Sequence, residues 1–413
     1  MNYFIKNIQV NELFHLKDFN TPIANKKKNP HLILTGKNGT GKTVLLRAIA
    51  DVLESAKNNS NIIRVDEIIR DLQETLQHSE TNDKRTECKK LIRLWEEKAG
   101  RVYKNVKLDF NDTTAVSNSL YKNEFILAFY KSFRKPQIDD PKNPTKPDLH
   151  RNLTVTETLT TQFLYFLVDL KIQEALARNE QQNDDANSIH KWFEDFECLL
   201  KEIYQDDNLT LTFNYKDYTF KINTNGKSFK FKEMSDGYIA AIDIIADLIL
   251  KMQDGNSPTR SYKKQGIVLI DEIETHLHLE LQRLVMPLLT RIFPNIQFIV
   301  TTHSPFVLNS MPNAVAYDLE HREIIDKLEQ YSYESLAEGY FGVNTESSYM
   351  EMRLGEMKRL MEKEQLTNGD KEQLLALIED FEQIPEVVSP TVVGEFMCLK
   401  VKYSEKIKEL RNS

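Results

Sequence analysis

Leu32-Ile33-Leu34-Thr35-Gly36-Lys37-Asn38-Gly39-Thr40-Gly41-Lys42-Thr43 is the stretch on which the fold turns. Its short apolar run, ending at glycine, suits a buried strand of a parallel sheet. Thr43 to Leu53 then reads as a helix, with Leu45, Leu46, Ile49 and Leu53 on one side. Between strand and helix, Gly36 to Thr43 matches G-x-x-x-x-G-K-[ST]. The glycines let the backbone curl so that its N–H groups face phosphate oxygens. The helix N-terminus adds its positive end. Asn38, Gly39, Thr40, Gly41, Lys42 and Thr43 are therefore the expected nucleotide contacts. Lys42 would reach the β- and γ-phosphates, and Thr43 would ligate Mg²⁺. An accidental glycine-rich turn would not bring both flanks with it.

Further along, Gly266-Ile267-Val268-Leu269-Ile270-Asp271-Glu272 is an apolar strand with carboxylates at its C-terminal end. Ligands bind at that end of open α/β sheets. Asp271 is expected to hold the Mg²⁺ shell, and Glu272 to orient or deprotonate the attacking water. Phe298-Ile299-Val300-Thr301-Thr302-His303-Ser304-Pro305 is another buried strand ending in polar residues. An isolated histidine is usually structural; following a sheet strand here, His303 becomes a candidate sensor of the γ-phosphate. Met234-Ser235-Asp236-Gly237-Tyr238 opens a helix. Ser235 or Asp236 could simply cap it. The same hydroxyl, glycine N–H and helix terminus could also hold a phosphate.

The order of these elements resembles the ABC-type ATPases, in the branch of the SMC, Rad50 and OLD-like proteins. Within that branch the chain is similar to ATPases of bacterial anti-phage systems: Septu (PtuA-type), retron-associated and PARIS (AriA-type). The resemblance is specific over residues 32–53 and 233–310. It implies an α/β fold: an ABC-type P-loop head with a mixed sheet, inserted helical segments and a C-terminal helical region. It implies that Ser235 and Gly237 contact ATP held by a partner subunit, so that two heads sandwich two nucleotides. It also implies that Glu274 to His278 lie at the dimer seam. His276 and His278 alternate with Leu277 and lack a nearby ligand cluster, which favours interface or structural roles over zinc. The chain departs from the family pattern where Met234 replaces leucine and Asp236 replaces a second glycine. Gln137 is the choice for the Q-loop residue. Arg134 either faces phosphate or is a surface arginine. No aromatic adenine platform can be assigned.

The rest of the 413 residues divides around these motifs. The expected organisation is ATPase core at 1–57, 105–155 and 207–330, helical insertions at 58–104 and 156–206, and a helical region at 331–413. In the first insertion Val65, Ile68, Leu72 and Leu76 recur at helical spacing, and a further helix carries Leu91, Leu94 and Trp95. These helices either pack on the core or project as a hairpin. Hydrophobic residues at 40% support a real core, and no apolar stretch is long enough for a bilayer. The opening MNYFIKNIQV lacks a signal-peptide layout. Cys88, Cys198 and Cys398 have no metal-type spacing and read as thiols of a reducing cytoplasm. A net charge of -8 argues against a basic coat for nucleic acid. Lys26–Lys28 and Lys84–Lys90 are local basic candidates, more simply solvated charge runs, and DNA stays open as a partner.

The functional expectation is a cytoplasmic ATP- and Mg²⁺-dependent ATPase that works as a dimerisation switch, with larger homo-oligomers as an extension. The lack of any nuclease constellation after the core points to a separate nuclease or toxin effector, and no membrane partner. The alternative is a DNA-repair or chromosome-maintenance ATPase of the Rad50/SMC type. Against it, the insertions are too short for long heptad arms.

Overall fold

The structure, a computed structural model, describes residues 3–23, 31–134, 138–149, 153–253, 262–311, 313–325, 328, 331–341, 348–363, 365–384 and 390–412. Lys26–Lys28 and Gln137 lie outside the described residues. The chain forms two compact units, Met1–Tyr333 and Glu334–Ser413.

The first unit is built on three sheets of described residues. Strands β1 (Ile5–Leu13) and β2 (Leu16–Pro22) form a hairpin, and β3 (His31–Thr35) leads into helix α1 (Lys42–Asn58). Helices α2 (Val65–His78) and α3 (Asn82–Val102) pack against each other as a hairpin. Then come β4 (Val106–Phe110), α4 (Thr113–Tyr121) and β5 (Phe125–Tyr130). A second helix pair follows, α5 (Phe163–Asn179) and α6 (Asn183–Tyr204), and then strands β6 (Thr210–Asn214), β7 (Thr219–Thr224) and β8 (Lys227–Lys230). Helix α7 (Asp236–Lys251), β9 (Gln265–Ile270), α8 (Leu279–Ile292), β10 (Ile296–Thr301), α9 (Pro305–Leu308), β11 (Ala314–Asp318) and β12 (Glu323–Ile325) complete it.

The central sheet has the order β12-β11-β3-β10-β9-β5. Its strands are parallel except for β12, which pairs antiparallel with β11, so the sheet is mixed. Strands β3, β5 and β10 are buried along their whole length, because both faces of a parallel sheet are covered. Leu32 and Leu34 share one core with Leu45 and Ile49 of α1 and with Ile8, Val106 and Leu108 of the antiparallel sheet β2-β1-β4. Trp95 of α3 packs partly against this core, whereas Leu91 and Leu94 stay more than a third exposed. The α2–α3 pair is thus docked along part of its length and projecting along the rest.

Register brings the functional strand ends together. Val300 lies beside Ile270, Thr301 beside Leu34, Tyr130 beside Ile270 and Asp318 beside Thr35. All these strands point the same way, so the loops that leave them share one edge. The closeness of β5 and β9 depends on Gly266. A Cβ there would lie 2.3 Å from the Ile126 carbonyl oxygen. Gly266→Ala is therefore expected to destabilise the fold by about 1–3 kcal/mol through overpacking. Chemical denaturation against wild type measures this; an unchanged midpoint would refute the tight approach.

The second unit contains α11 (Ser348–Glu362), α12 (Asn368–Glu382), α13 (Pro390–Lys402) and α14 (Ser404–Asn412), with α10 (Tyr333–Phe341) beginning at the boundary. Leu354, Met357, Leu374, Ile378 and Phe396 form its own core. Thr367 and Asp370 close a capping box at the start of α12. Arg411 grips both carboxylate oxygens of Glu382, at 2.9 and 3.0 Å. Among the described residues no helix is long and apolar enough to cross a membrane.

Candidate nucleotide-binding site

The loop between β3 and α1 needs its glycines for two reasons. Gly36, Gly39 and Gly41 have φ of 124°, 85° and 96°, a region that side-chain-bearing residues avoid. At Gly36 a Cβ would also come within 3.0 Å of Asp318 Oδ1, and at Gly41 within 2.9 Å of Leu16 Cδ1. The loop is thus wedged between the end of β11 and the β1–β2 hairpin. Lys42 is 5% exposed and donates to the carbonyls of Gly36, at 2.7 Å, and Lys37, at 2.9 Å. Burial pulls its pKa down to about 8, while Glu272, Glu274, Asp271 and Asp318 push it back up.

Asp271 sits just past the end of β9 and is almost fully buried. Its Oδ1 accepts from Thr43 Oγ1 at 3.0 Å and from Thr301 Oγ1 at 2.8 Å. Thr301 Oγ1 in turn accepts from the Glu272 N–H at 2.7 Å. Glu272 has φ of 46°, a turn that lets its side chain leave the strand line. A cleft of 280 Å³ is lined by Asn38, Gly39, Gly41, Lys42, Thr43, Glu272 and His303, closed on another side by Leu13, Phe14 and His15. Burial, then the neighbouring Lys42, hold the His303 pKa below the usual imidazole value, which favours a neutral ring. The oxygens of Thr43 and Asp271 are hard donors of the kind Mg²⁺ takes, with phosphate oxygens and water filling its remaining positions. Among the described residues no group of three or more His, Cys, Asp or Glu could hold a metal, so His276 and His278 have no zinc cluster around them.

The structure therefore brings Asn38, Gly39, Gly41, Lys42, Thr43, Glu272 and His303 around one cleft, with Asp271 hydrogen-bonded to Thr43. Thr40 adjoins it through its carbonyl, 3.0 Å from His15 Nε2. Ser235 and Gly237 are not part of that lining. Ser235 occupies the N-cap of α7, but neither it nor Asp236 makes the expected side-chain cap bond. Gly237 instead allows close packing: a Cβ there would lie 2.8 Å from the His276 carbonyl. Tyr238 stacks on Tyr204 with centroids 4.0 Å apart and meets His278 edge-on at 5.2 Å. The loop after β9 and the start of α7 are thus one packed block.

Three residues had no role in the sequence reading, or a different one. Phe14, at the hairpin tip, is 78% exposed yet lines the cleft. Thr301 orders both Asp271 and the Glu272 amide. Glu274, expected at a dimer seam, accepts from Thr302 Oγ1 at 2.8 Å and from the His303 N–H within its own chain. Burial raises its pKa against the pull of those bonds.

A phosphate loop, a strand-terminal Asp-Glu pair and a strand-terminal histidine at one edge of the parallel strands of a mixed sheet define a P-loop ATPase. The family described as "AAA domain, putative AbiEii toxin, Type IV TA system" matches residues 89–309, more than half of the chain, and the chain belongs to it. The phosphate loop lies N-terminal to the matched stretch. The chain is similar to "Septu protein PtuA" of Bacillus mycoides (strain KBAB4), 26% identical over 330 residues, which are 78% of this chain and 41% of that protein. It is also similar to "Retron Vc95 probable ATPase" of Vibrio cholerae serotype O1 biovar El Tor, 31% identical over 187 residues, 44% of this chain and 32% of that protein. "Retron Ec83 probable ATPase" of Escherichia coli is 40% identical over 92 residues, 22% of this chain and 17% of that protein. The chain thus spans less than half the length of these curated relatives. Among solved structures, the SmcHead bound to the C-winged helix domain of ScpA aligns over 76% of this chain and 94% of that one, at 11% identity and a TM-score of 0.35.

Proposed function

We propose that this chain binds and hydrolyses Mg-ATP as a nucleotide-operated switch, in which two heads close over two nucleotides and part after hydrolysis. The observation that carries the reading is the convergence of Lys42, Thr43, Glu272 and His303 on one cleft, with Asp271 hydrogen-bonded to Thr43. Lys42 would neutralise the β- and γ-phosphates, and the loop amides would cradle them. Thr43 and Asp271 would hold Mg²⁺, which supplies charge neutralisation of the phosphate oxygens. Glu272 would orient the attacking water or take its proton, and a neutral His303 could donate to the γ-phosphate. Ser235 and Gly237, outside this cleft, fit the reading in which they meet the partner head's nucleotide. The direct test is phosphate release from ATP by the purified chain, expected with Mg²⁺ and abolished by a chelator. Release that is indifferent to the chelator would count against this metal assignment.

Phe14 offers an exposed ring beside the phosphate loop, at the place a base could stack. Base–aromatic stacking contributes about 1–3 kcal/mol. Phe14→Ala is then expected to weaken ATP binding about fivefold or more, while inorganic triphosphate, which has no base, binds as before. Equal weakening of both ligands would assign Phe14 to the loop's structure instead.

The similarity to Septu and retron ATPases supports an anti-phage role, in a cytoplasm, for a subunit that holds or licenses a separate nuclease or toxin. We read 58–104 and 156–206 as insertions in the ATPase core and 331–413 as an appended helical region; these are the natural surfaces for an effector and for larger homo-oligomers. Co-purification with the product of a neighbouring gene tests the effector. The alternative, direct work on DNA, would show as DNA-stimulated hydrolysis.

A further inference from the structure

Outside the residues assigned so far, the most unusual group at this edge of the sheet is Arg134. It lies shortly beyond Tyr130, the last residue of β5. The Asp271 N–H donates to the Tyr130 carbonyl at 2.8 Å, so the chain leaving β5 runs beside the chain leaving β9. Arg134 is not the surface arginine that its sequence context allowed. Its Nε is buried and has no acceptor among the described residues. Its Nη1 donates only locally, to the Lys131 carbonyl at 3.1 Å.

Such a group is costly to bury, since a guanidinium carries five N–H donors and a permanent charge. The neighbouring carboxylates offset the charge: Asp243 of α7 first, then Asp271 and Glu274. Their hydrogen bonds, however, go elsewhere. Asp243 accepts from Thr160 Oγ1, Asp271 from Thr43 and Thr301, and Glu274 from Thr302 and the His303 N–H. A cation is thus held beside Asp243, Asp271 and Glu274 with donor capacity to spare. Arg134, Asp271 and Glu274 are outside the lining of the 280 Å³ cleft, but Asp271 is bonded to Thr43, which lines it, so an anionic acceptor that reaches past Thr43 toward Asp271 would meet the guanidinium. In ATP only the terminal phosphate satisfies that description; ADP lacks it.

We propose that Arg134 contacts the terminal phosphate of bound ATP from the β5 side of the cleft, opposite Lys42, and so makes the site discriminate ATP from ADP. This rests on the nucleotide reading above. The contact also puts the charge of the γ-phosphate next to Asp243, on the helix that begins with Ser235 and Gly237.

The test is titration of fluorescent ATP and ADP analogues, with Mg²⁺, into Glu272→Gln protein, in which turnover is expected to be slow, with and without Arg134→Met. Charge-assisted hydrogen bonds of this kind are worth about tenfold or more in affinity. The expected result is ATP affinity about tenfold weaker with ADP affinity within about twofold, so the ATP-to-ADP preference collapses. Arg134→Lys, which keeps the charge but not the planar fork, is expected to fall between the two and serves if Arg134→Met does not fold. An unchanged preference in both variants, or equal weakening of ATP and ADP, overturns the proposal. Failure of the parent protein to bind either nucleotide would instead overturn the nucleotide reading itself, and this inference with it.

Discussion

Lys42→Ala is expected to lower ATP affinity by about a hundredfold to a thousandfold, the loss of two or more charge-assisted contacts. The wild-type ammonium is almost wholly buried and bonded to the Gly36 and Lys37 carbonyls. It is already desolvated, so an incoming phosphate does not have to strip water from it. Removing it also takes the Lys42 donor from the Gly36 carbonyl and leaves the Lys37 carbonyl with the Thr40 N–H alone, which loosens the loop from inside. The pH dependence has a definite sign. Lys42 is charged below about 8 and loses its proton as pH rises through that value. ATP affinity of the wild type should therefore fall as pH rises above 8, as far as Lys42 sets it, while Lys42→Ala lacks that component. Calorimetric titration at neutral and alkaline pH measures both. An unchanged affinity in Lys42→Ala would remove the phosphate loop from the site.

Glu272→Gln is expected to cut turnover by about 10²–10⁴, the range for loss of a positioned general base, with ATP affinity changed by less than about threefold. The substitution keeps the size of the side chain. The backbone at Glu272 is fixed independently by its N–H bond to Thr301 Oγ1 and by the turn at φ 46°. What changes is the ability to take a proton from water in the cleft. Single-turnover phosphate release, with binding measured separately, distinguishes this from a lost nucleotide. Full turnover in the variant would shift the proton-accepting role to another carboxylate, with Glu274 the nearest in sequence after Asp271, which is assigned to Mg²⁺.

The parts of this site that were legible in the sequence are those in which local chemistry and local structure coincide. Gly36 to Thr43 announces both a backbone curl and its use, and the strand before Asp271 is an unbroken apolar run because both sheet faces are covered. The strand before His303 was readable for the same reason. What the sequence did not reveal depends on chain segments that meet only in space. Phe14 reaches the loop because the β1–β2 hairpin folds over Gly41, an approach seen in the crowding of Leu16 and His15 on that glycine. Arg134 is distinguished from a surface arginine only by β5 lying beside β9. Glu274, which the resemblance puts at a dimer seam, has a second role that the sequence does not show: its side chain holds Thr302 and the His303 amide in the same chain. Helix α4 and strands β11 and β12 were also unread: α4 is short, and β12 exposes two of its three residues. The helix periodicity of α2 and α3 was clear, but whether they dock or project is decided by Trp95 reaching the core while Leu91 and Leu94 do not.

The central claim is that ATP drives two heads together, and the most direct measurement is the solution mass of Glu272→Gln by light scattering, with Mg-ATP, with Mg-ADP and without nucleotide. The expected result is a doubling of the assembly's mass with Mg-ATP alone, starting from a 48.2 kDa chain or from whatever oligomer it forms without nucleotide. A mass that is the same in all conditions, with ATP shown to be bound, would contradict a nucleotide-driven dimer.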